Sequence, residues 1–138
     1  MKKKNNIITY YNIYPFPLTV ASIDHIKDLQ SKYVFYKTTS DFLNYTNSSD
    51  YFLTDPSISA VTVLASEKDT DYKTIIIVLD LDIVKKDLGV LAHESVHYAD
   101  AMFDTLGMNG EGYDMGDEQY AYLVEWCFNR LFEYVTRK

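Results

Sequence analysis

The chain is poor in several features that would assign it to a particular class of protein. It has a single cysteine in 138 residues, which excludes a disulfide framework and a cysteine-based metal site. That residue, Cys127, lies between Trp126 and Phe128, an apolar setting that does not favour a nucleophilic thiol. No apolar run approaches the ~20 residues that a membrane-spanning helix requires. The composition, 47% hydrophobic and 24% charged, is ordinary for a globular domain.

Positive charge is also scarce. The chain carries 13 Lys and Arg against 20 Asp and Glu, a formal net charge of −7, and its only basic cluster is Lys2–Lys4. Because an acidic surface opposes non-specific nucleic-acid binding, we expect neither a nucleic-acid partner nor a membrane partner. The lysines are followed by polar Asn5 and Asn6 rather than by an apolar stretch, so the sequence predicts no signal peptide.

The pattern of apolar residues predicts one α+β domain over residues 1–138. Alternation and β-branched runs indicate strands over 7–14, 33–36, 58–66 and 74–82, with the last two joined as a hairpin by the polar turn 67–73. Helical spacing predicts a helix over 18–33 that covers the sheet. A short helix over 39–45, capped by Thr39 or Ser40, completes the first half. His25, within the first of these helices, is interpreted as a surface residue.

Two longer amphipathic helices are predicted over 86–106 and 117–136, separated by the glycine-rich segment 107–116. The predicted core-facing stripe of the first helix is Leu88, Ala92, Val96, Ala99, Phe103 and Leu106. That of the second is Ala121, Val124, Phe128, Leu131 and Val135. Asp80 and Asp82, just before the first of these helices, are interpreted as solvated strand-end residues sharing one face.

The first long helix contains the sequence His93-Glu94-Ser95-Val96-His97, an HExxH motif. Two histidines four residues apart leave one side of a helix a turn apart, so both imidazoles can reach a single Zn²⁺ at ~2.0–2.1 Å. The glutamate beside the first histidine can then polarise a zinc-bound water. The alternative interpretation is a helix that carries two incidental surface histidines.

A catalytic zinc normally has three protein ligands, so the motif requires a third one from elsewhere. A third histidine six residues further on is absent, because that position is Phe103. Three carboxylates remain open. Glu118 begins the second long helix, which can bring it opposite the histidines. Asp100 lies on the same helix as the motif and suits an outer-shell role that orients an imidazole. Glu125 follows Glu118 by two turns on the same side.

The residues HESVHYAD, followed about twenty positions later by DEQYAYLVEW, resemble minimal gluzincin-type zincin metallopeptidases. The same combination is similar to small zincin-like proteins encoded in bacteriophage genomes. The resemblance covers roughly the last third of the chain. It implies a zincin-like fold, in which a small, mostly antiparallel sheet packs on the HExxH helix together with the C-terminal helix and an N-terminal covering helix. It also implies Zn²⁺ as cofactor, His93, His97 and Glu118 as its ligands, and Glu94 as general base.

The sequence departs from larger gluzincins in two respects. Tyr122 stands where they often carry an aspartate four residues after the ligand glutamate. We expect no downstream subdomain to supply a donor to the transition state, so either a tyrosine takes that role or catalysis is weak or absent. Tyr113 and Tyr122 are the candidates, with Tyr98 and Tyr120 also near the motif in sequence.

The sequence therefore predicts a zinc-dependent peptidase that acts on a peptide or protein substrate in the host cytoplasm or in a virion. In zincins an edge strand beside the metal pairs with the extended substrate, and a strand of the 58–82 hairpin suits this role. The rival interpretation is a phage virion component, with other virion proteins as partners. Such a protein would retain the fold, with or without zinc, and lack turnover.

Overall fold

The computed structural model describes residues 7–49, 59–109 and 117–137. The strands are β1 (Ile7–Tyr10), β2 (Leu18–Ser22), β3 (Tyr33–Tyr36), β4 (Ala60–Glu67) and β5 (Lys73–Leu79). The α-helices are α1 (Ile26–Lys32), α2 (Thr39–Asn44), α3 (Leu81–Lys86), α4 (Gly89–Thr105) and α5 (Glu118–Thr136). One turn of 3-10 helix (Ile23–His25) precedes α1.

The strands form one mixed sheet in the order β1-β2-β5-β4-β3. Three of its pairings are antiparallel, and the pairing of β2 with β5 is parallel. The central strand β5 is buried over almost its whole length, as the predicted apolar run requires. The predicted hairpin is confirmed, because β4 and β5 pair antiparallel and are joined by the turn between them. The α+β class is therefore confirmed.

Each face of the sheet has its own apolar core. Ile75, Ile77 and Leu79 of β5 pack with α4 and α5, whereas Ile76 and Val78 belong to the core on the face that α1 covers. Successive side chains of a strand point to opposite faces of the sheet. The face on which each residue of β5 lies therefore also gives the face of its partner residue on the neighbouring strand. It places Leu64 of β4 on the face of α4 and α5. No described helix combines the length and apolar character that crossing a membrane would demand.

The predicted helix over 18–33 is wrong in its first part, and the predicted first strand is too long. Leu18–Ser22 is β2, whose five residues are all buried between β1 and β5. A parallel strand with both faces covered lacks the apolar–polar alternation that distinguishes strands from helices, so helical spacing there was misleading. The helical prediction holds for Ile26–Lys32. The first strand ends at Tyr10 rather than at residue 14.

Two local predictions near helix starts also need correction. Asp80 caps α3, because its carboxylate accepts hydrogen bonds from the backbone N–H groups of Asp82 and Ile83. Asp82 is therefore a helical residue and does not share a strand face with Asp80. The cap of α2 is Thr38, which accepts from the N–H of Asp41, and not Thr39 or Ser40.

The predicted core stripes of both long helices are partly wrong. Leu88, which directly precedes α4, is 43% exposed; on α4 itself Val96 is 41% exposed and Ala92 is also exposed. On α5, Ala121 is exposed. The prediction followed apolar residue types, but α4 packs against both the sheet and α5, so its contact surface is wider and includes polar residues. The buried residues of α4 are Leu91, Glu94, Ser95, Tyr98, Ala99, Met102, Phe103 and Thr105, and those of α5 are Leu123, Cys127, Leu131, Tyr134 and Val135.

Candidate metal centre

The two histidines of the motif lie next to each other on the outer flank of α4. Their Nε2 atoms are 3.1 Å apart, and their rings meet edge to face with centroids 4.7 Å apart. Both residues are exposed, and the side chain of His93 is 68% accessible. The prediction that one helix turn brings the two imidazoles together is therefore confirmed.

The separation of these nitrogens fits a shared zinc ion. In a tetrahedral site with Zn–N bonds of ~2.0–2.1 Å, two nitrogen ligands stand about 3.3 Å apart. The Nε2 atoms of His93 and His97 are within a few tenths of an ångström of that value. Two neutral imidazole nitrogens are also the donor type that zinc prefers. The pair can therefore supply two ligands with little rearrangement of the helix.

Glu94, between the two histidines in sequence, turns inward where they turn outward. It is only 5% exposed, and its Oε1 accepts a hydrogen bond of 2.7 Å from the hydroxyl of Thr62 on β4. Its other oxygen, Oε2, lies 4.0 Å from Nε2 of His93. One carboxylate oxygen is thus held by the sheet and the other lies on the side of the histidines. This is the position that a general base for a water on the histidine pair requires.

A groove of about 590 Å³ runs between α4 and the first half of β4. Strand β3 pairs with β4 only from Leu64 onward, so in the described ranges Ala60–Val63 have no strand beside them on that side. The histidines and Glu94 therefore stand next to a stretch of β4 that no described strand pairs with on this side. The residues lining the groove are Tyr36, Lys37, Thr39, Ala60, Val61, Thr62, Val63, Leu64, His93, Glu94, His97 and Ala101.

In the described ranges, the two histidines have no third metal-ligating side chain beside them. Among the described residues there is no group of three or more His, Cys, Asp or Glu side chains that could hold a metal ion. Helices α4 and α5 are antiparallel, since Phe103 packs against Tyr120 with ring centroids 5.3 Å apart while Tyr98 faces Trp126. Glu118 accordingly lies level with the end of α4. At 1.5 Å per residue this is about 12 Å along the axis from His97.

The two other candidate ligands have different surroundings. Asp100 accepts a 2.6 Å hydrogen bond from the hydroxyl of Tyr120, so it links α4 to α5. Glu125 precedes Trp126 and is therefore nearly level with His97 along the helix pair, but its side chain is exposed. The assignment of Glu118 as third ligand stays a prediction.

The tyrosines near the motif differ in their accessibility. Tyr98 is fully buried, donates to the carbonyl of Phe16 and has a raised pKa because of its burial, so its hydroxyl belongs to the core. Burial, the hydrogen bond to Asp100 and the charge of Asp100 raise the pKa of Tyr120 to about 12. Tyr122 is 63% exposed on α5. Tyr113 lies outside the described residues.

Thr62 is the site residue that sequence reasoning missed. Its signal was available in the alternation of β4, because residue 62 lies on the same face as Leu64, the face that packs on α4. The strand was interpreted only as a possible substrate edge. Its side chains were not considered.

The remaining candidates are outside the site. Cys127 is buried, and burial raises the pKa of its thiol to about 12, which fits the prediction of an unreactive cysteine. Nδ1 of His25 is 3.2 Å from the carboxylate of Asp28 at the start of α1. Neither Cys127 nor His25 lines the groove.

No protein-family model, curated protein or solved structure matches the chain. The function must therefore be judged from the geometry of the histidine pair, Glu94 and the strand edge.

Proposed function

We propose that the chain is a zinc-dependent peptidase of the minimal gluzincin type, with a zincin-like fold. The observation that carries this proposal is the arrangement of His93, His97 and Glu94. Two imidazole nitrogens stand 3.1 Å apart on the exposed flank of α4, with a buried carboxylate beside them. A separation of 3.1 Å also permits a hydrogen bond between the two imidazoles, so the buried carboxylate beside the pair is what distinguishes it from two incidental surface histidines.

The division of labour follows from these positions. A zinc ion held by the two histidines would polarise the scissile carbonyl and lower the pKa of a water molecule. Glu94 would accept a proton from the attacking water at Oε2, the oxygen on the histidine side, as the water oxygen bonds to the carbonyl carbon. It would then pass that proton to the amine nitrogen as the C–N bond breaks. Glu118 is the proposed third ligand, and Tyr122 or Tyr113 the proposed donor to the oxyanion.

The substrate would bind along Ala60–Val63 of β4, which no described strand pairs with on the side away from β5. Backbone N–H and C=O groups of Ala60–Val63 that face away from β5 can pair with an extended peptide, as in strand addition. Such a peptide would lie in the groove between β4 and α4, directly over the histidines. The fit is to an extended chain of unspecified sequence, which is why we name a peptide or an unfolded protein segment as the substrate class.

The alternative function is a structural or interaction protein, for example a phage virion component, that keeps the fold without turnover. One observation favours it. The part of the chain that the structure describes supplies no third protein ligand beside the histidines. A protein without catalysis can lose that ligand, the oxyanion donor or access to the groove without consequence.

A digest of an unbiased peptide library by zinc-loaded protein tests the proposal. We expect cleavage that a chelator suppresses. Glu94→Gln should lower it by ~10²–10⁴-fold while leaving zinc content unchanged. The glutamine amide oxygen can still accept from Thr62, so this variant changes mainly the atom that faces the histidines. Stoichiometric zinc without any cleavage would support the structural alternative, and absence of zinc binding would reject the peptidase proposal.

A further inference from the structure

Thr62 is the one residue of β4 whose side chain contacts the proposed general base directly. Its hydroxyl lies 2.7 Å from Oε1 of Glu94 and 3.4 Å from the backbone oxygen of the same residue. Since a hydroxyl has one proton and the carboxylate can only accept, Thr62 is the donor in the shorter contact. Within the described ranges this is the only side-chain hydrogen bond to the Glu94 carboxylate.

A buried carboxylate needs such a donor. Glu94 is 5% exposed, and a buried acceptor without a partner costs about 1–3 kcal/mol, more when it is charged. Without Thr62, the side chain would gain by rotating toward water. The groove beside α4 offers that water. The hydrogen bond therefore selects one orientation of the carboxylate among those that its three side-chain torsions allow.

We propose that Thr62 is a positioning residue that holds Glu94 in its catalytic orientation, an inference that rests on the proposed peptidase function. With Oε1 fixed on Thr62, Oε2 is directed to the side of His93, 4.0 Å from its Nε2. One oxygen anchors the group and the other exchanges the proton. The Thr62 side chain therefore acts only through Glu94 and is not one of the proposed zinc ligands.

The same strand carries the substrate edge, which links recognition to catalysis. Thr62 lies in the middle of Ala60–Val63, the stretch of β4 that has no strand on its β3 side in the described ranges. A peptide paired with this stretch would be held by the backbone of the residue whose side chain orients the base. The scissile bond and the base are thereby placed by one element, which reduces the freedom between them.

Attachment of α4 to the sheet does not depend on this hydrogen bond. Leu91, Tyr98 and Met102 are fully buried and anchor the helix through the apolar core. Loss of one hydroxyl should therefore change the orientation of Glu94 without displacing the helix. This separates a positioning role from a merely structural one.

The test compares Thr62→Val, Thr62→Ser and the control Thr19→Val. Valine has the shape of threonine without its hydroxyl, and serine keeps the hydroxyl. Thr19 is fully buried on β2 and shares a 2.8 Å hydrogen bond with Thr74, so its replacement also removes a buried hydroxyl from the same sheet. It lies outside the groove.

In Thr62→Val we expect kcat to fall by about 10- to 100-fold, as for other groups that orient a site, with KM and zinc affinity nearly unchanged. Thr62→Ser should restore most of kcat, and Thr19→Val should lose stability but not kcat. Crystal structures of the metal-free proteins provide a readout besides activity. In Thr62→Val, the Glu94 carboxylate should leave the position that it occupies in the wild type.

Unchanged kcat in Thr62→Val, a loss seen in KM alone, or an unmoved carboxylate would overturn the positioning role. An equal loss of kcat in Thr19→Val would show that destabilisation alone is responsible. If the zinc-loaded wild type cleaves nothing, the proposed function fails instead. The two crystal structures then still decide whether Thr62 fixes the carboxylate.

Discussion

The two flanks of α4 have opposite characters. The inner flank contains Leu91, Ser95, Tyr98 and Met102, all without solvent exposure, and packs against the sheet and α5. The outer flank, on the groove, contains the exposed pair His93 and His97. We expect stability to depend mainly on the first flank and the proposed chemistry on the second, so substitutions on the two should have separable effects.

Glu94 lies at the boundary between the flanks. It is buried like an inner residue, yet one of its oxygens faces the histidines. A charged group in such a place is maintained by a specific partner rather than by burial of apolar area, and that partner is Thr62. The comparison therefore distinguishes three kinds of position on one helix: core, ligand and oriented base.

The largest effect is expected for His97→Ala. It should abolish stoichiometric zinc binding, because one of the two nitrogens 3.1 Å apart is lost. The metal-free protein should unfold within about 0.5 kcal/mol of the wild type, as is usual for an exposed residue. Elemental analysis and denaturant unfolding measure the two quantities. His25→Ala is the matched control and should keep its zinc. Tight zinc binding by His97→Ala would show that the outer flank of α4 does not hold the metal.

The next effect concerns the inner flank. Leu91→Ala should destabilise the metal-free protein by about 2–5 kcal/mol, since it leaves a cavity in a fully buried position. Val96→Ala removes apolar atoms at a position 41% exposed and should cost less than about 1 kcal/mol. Urea unfolding of both variants without zinc tests which side of α4 is buried in the core. Equal losses would mean that the sequence-based stripe through Val96 describes the core better.

A smaller effect is expected at the proposed third ligand. Glu118→Gln should weaken zinc binding by more than about tenfold, because even groups that only orient ligands contribute 10- to 100-fold. Glu118 is level with the far end of α4, so ligation requires the start of α5 to approach His97. Glu125→Gln and Asp100→Asn are the comparison variants in zinc titration calorimetry. A greater loss in Glu125→Gln would assign the ligand to the level of His97 instead.

The sequence predicted what depends on local pattern. Histidines four residues apart must share a helix face, and the polar turn between two β-branched runs must form a hairpin. Prediction from the sequence failed where tertiary contacts determine which residues are buried. Which side of α4 is buried depends on its contacts with the sheet and with α5, and these contacts bury Glu94 and Ser95. Ser95 satisfies its hydroxyl by donating to the carbonyl of Leu91 within the helix, so burial of this polar residue is inexpensive.

The partnership of Thr62 and Glu94 illustrates the other limit. The residues are 32 positions apart, and their contact depends on which face of β4 meets α4. Strand alternation gives the face, but only the packing of helix on sheet gives the distance. The same holds for the proposed third ligand on α5, since which carboxylate could reach the histidines depends on the relative height of the two helices.

The smallest effect is expected for Tyr120→Phe, which removes the hydrogen bond between α5 and Asp100. Because the pair is partly exposed, we expect a loss of about 1 kcal/mol in unfolding free energy. Folding raises the pKa of Tyr120 to about 12 from its usual 10.0, so the neutral phenol is the form that the fold favours. The contribution is therefore complete below the unfolded pKa and is lost as the pH rises from 10 toward 12.

Denaturant unfolding near neutral pH and again in that alkaline window measures the difference between wild type and Tyr120→Phe. The difference should shrink at the higher pH, because an ionised phenolate would face the carboxylate of Asp100. Tyr122→Phe is the matched control, since Tyr122 is 63% exposed on the same helix and should show almost no effect. A difference that does not change with pH would contradict the role of the Tyr120 hydroxyl. A loss of zinc affinity in Tyr120→Phe would instead show that this end of the helix pair controls how closely α5 approaches the histidines.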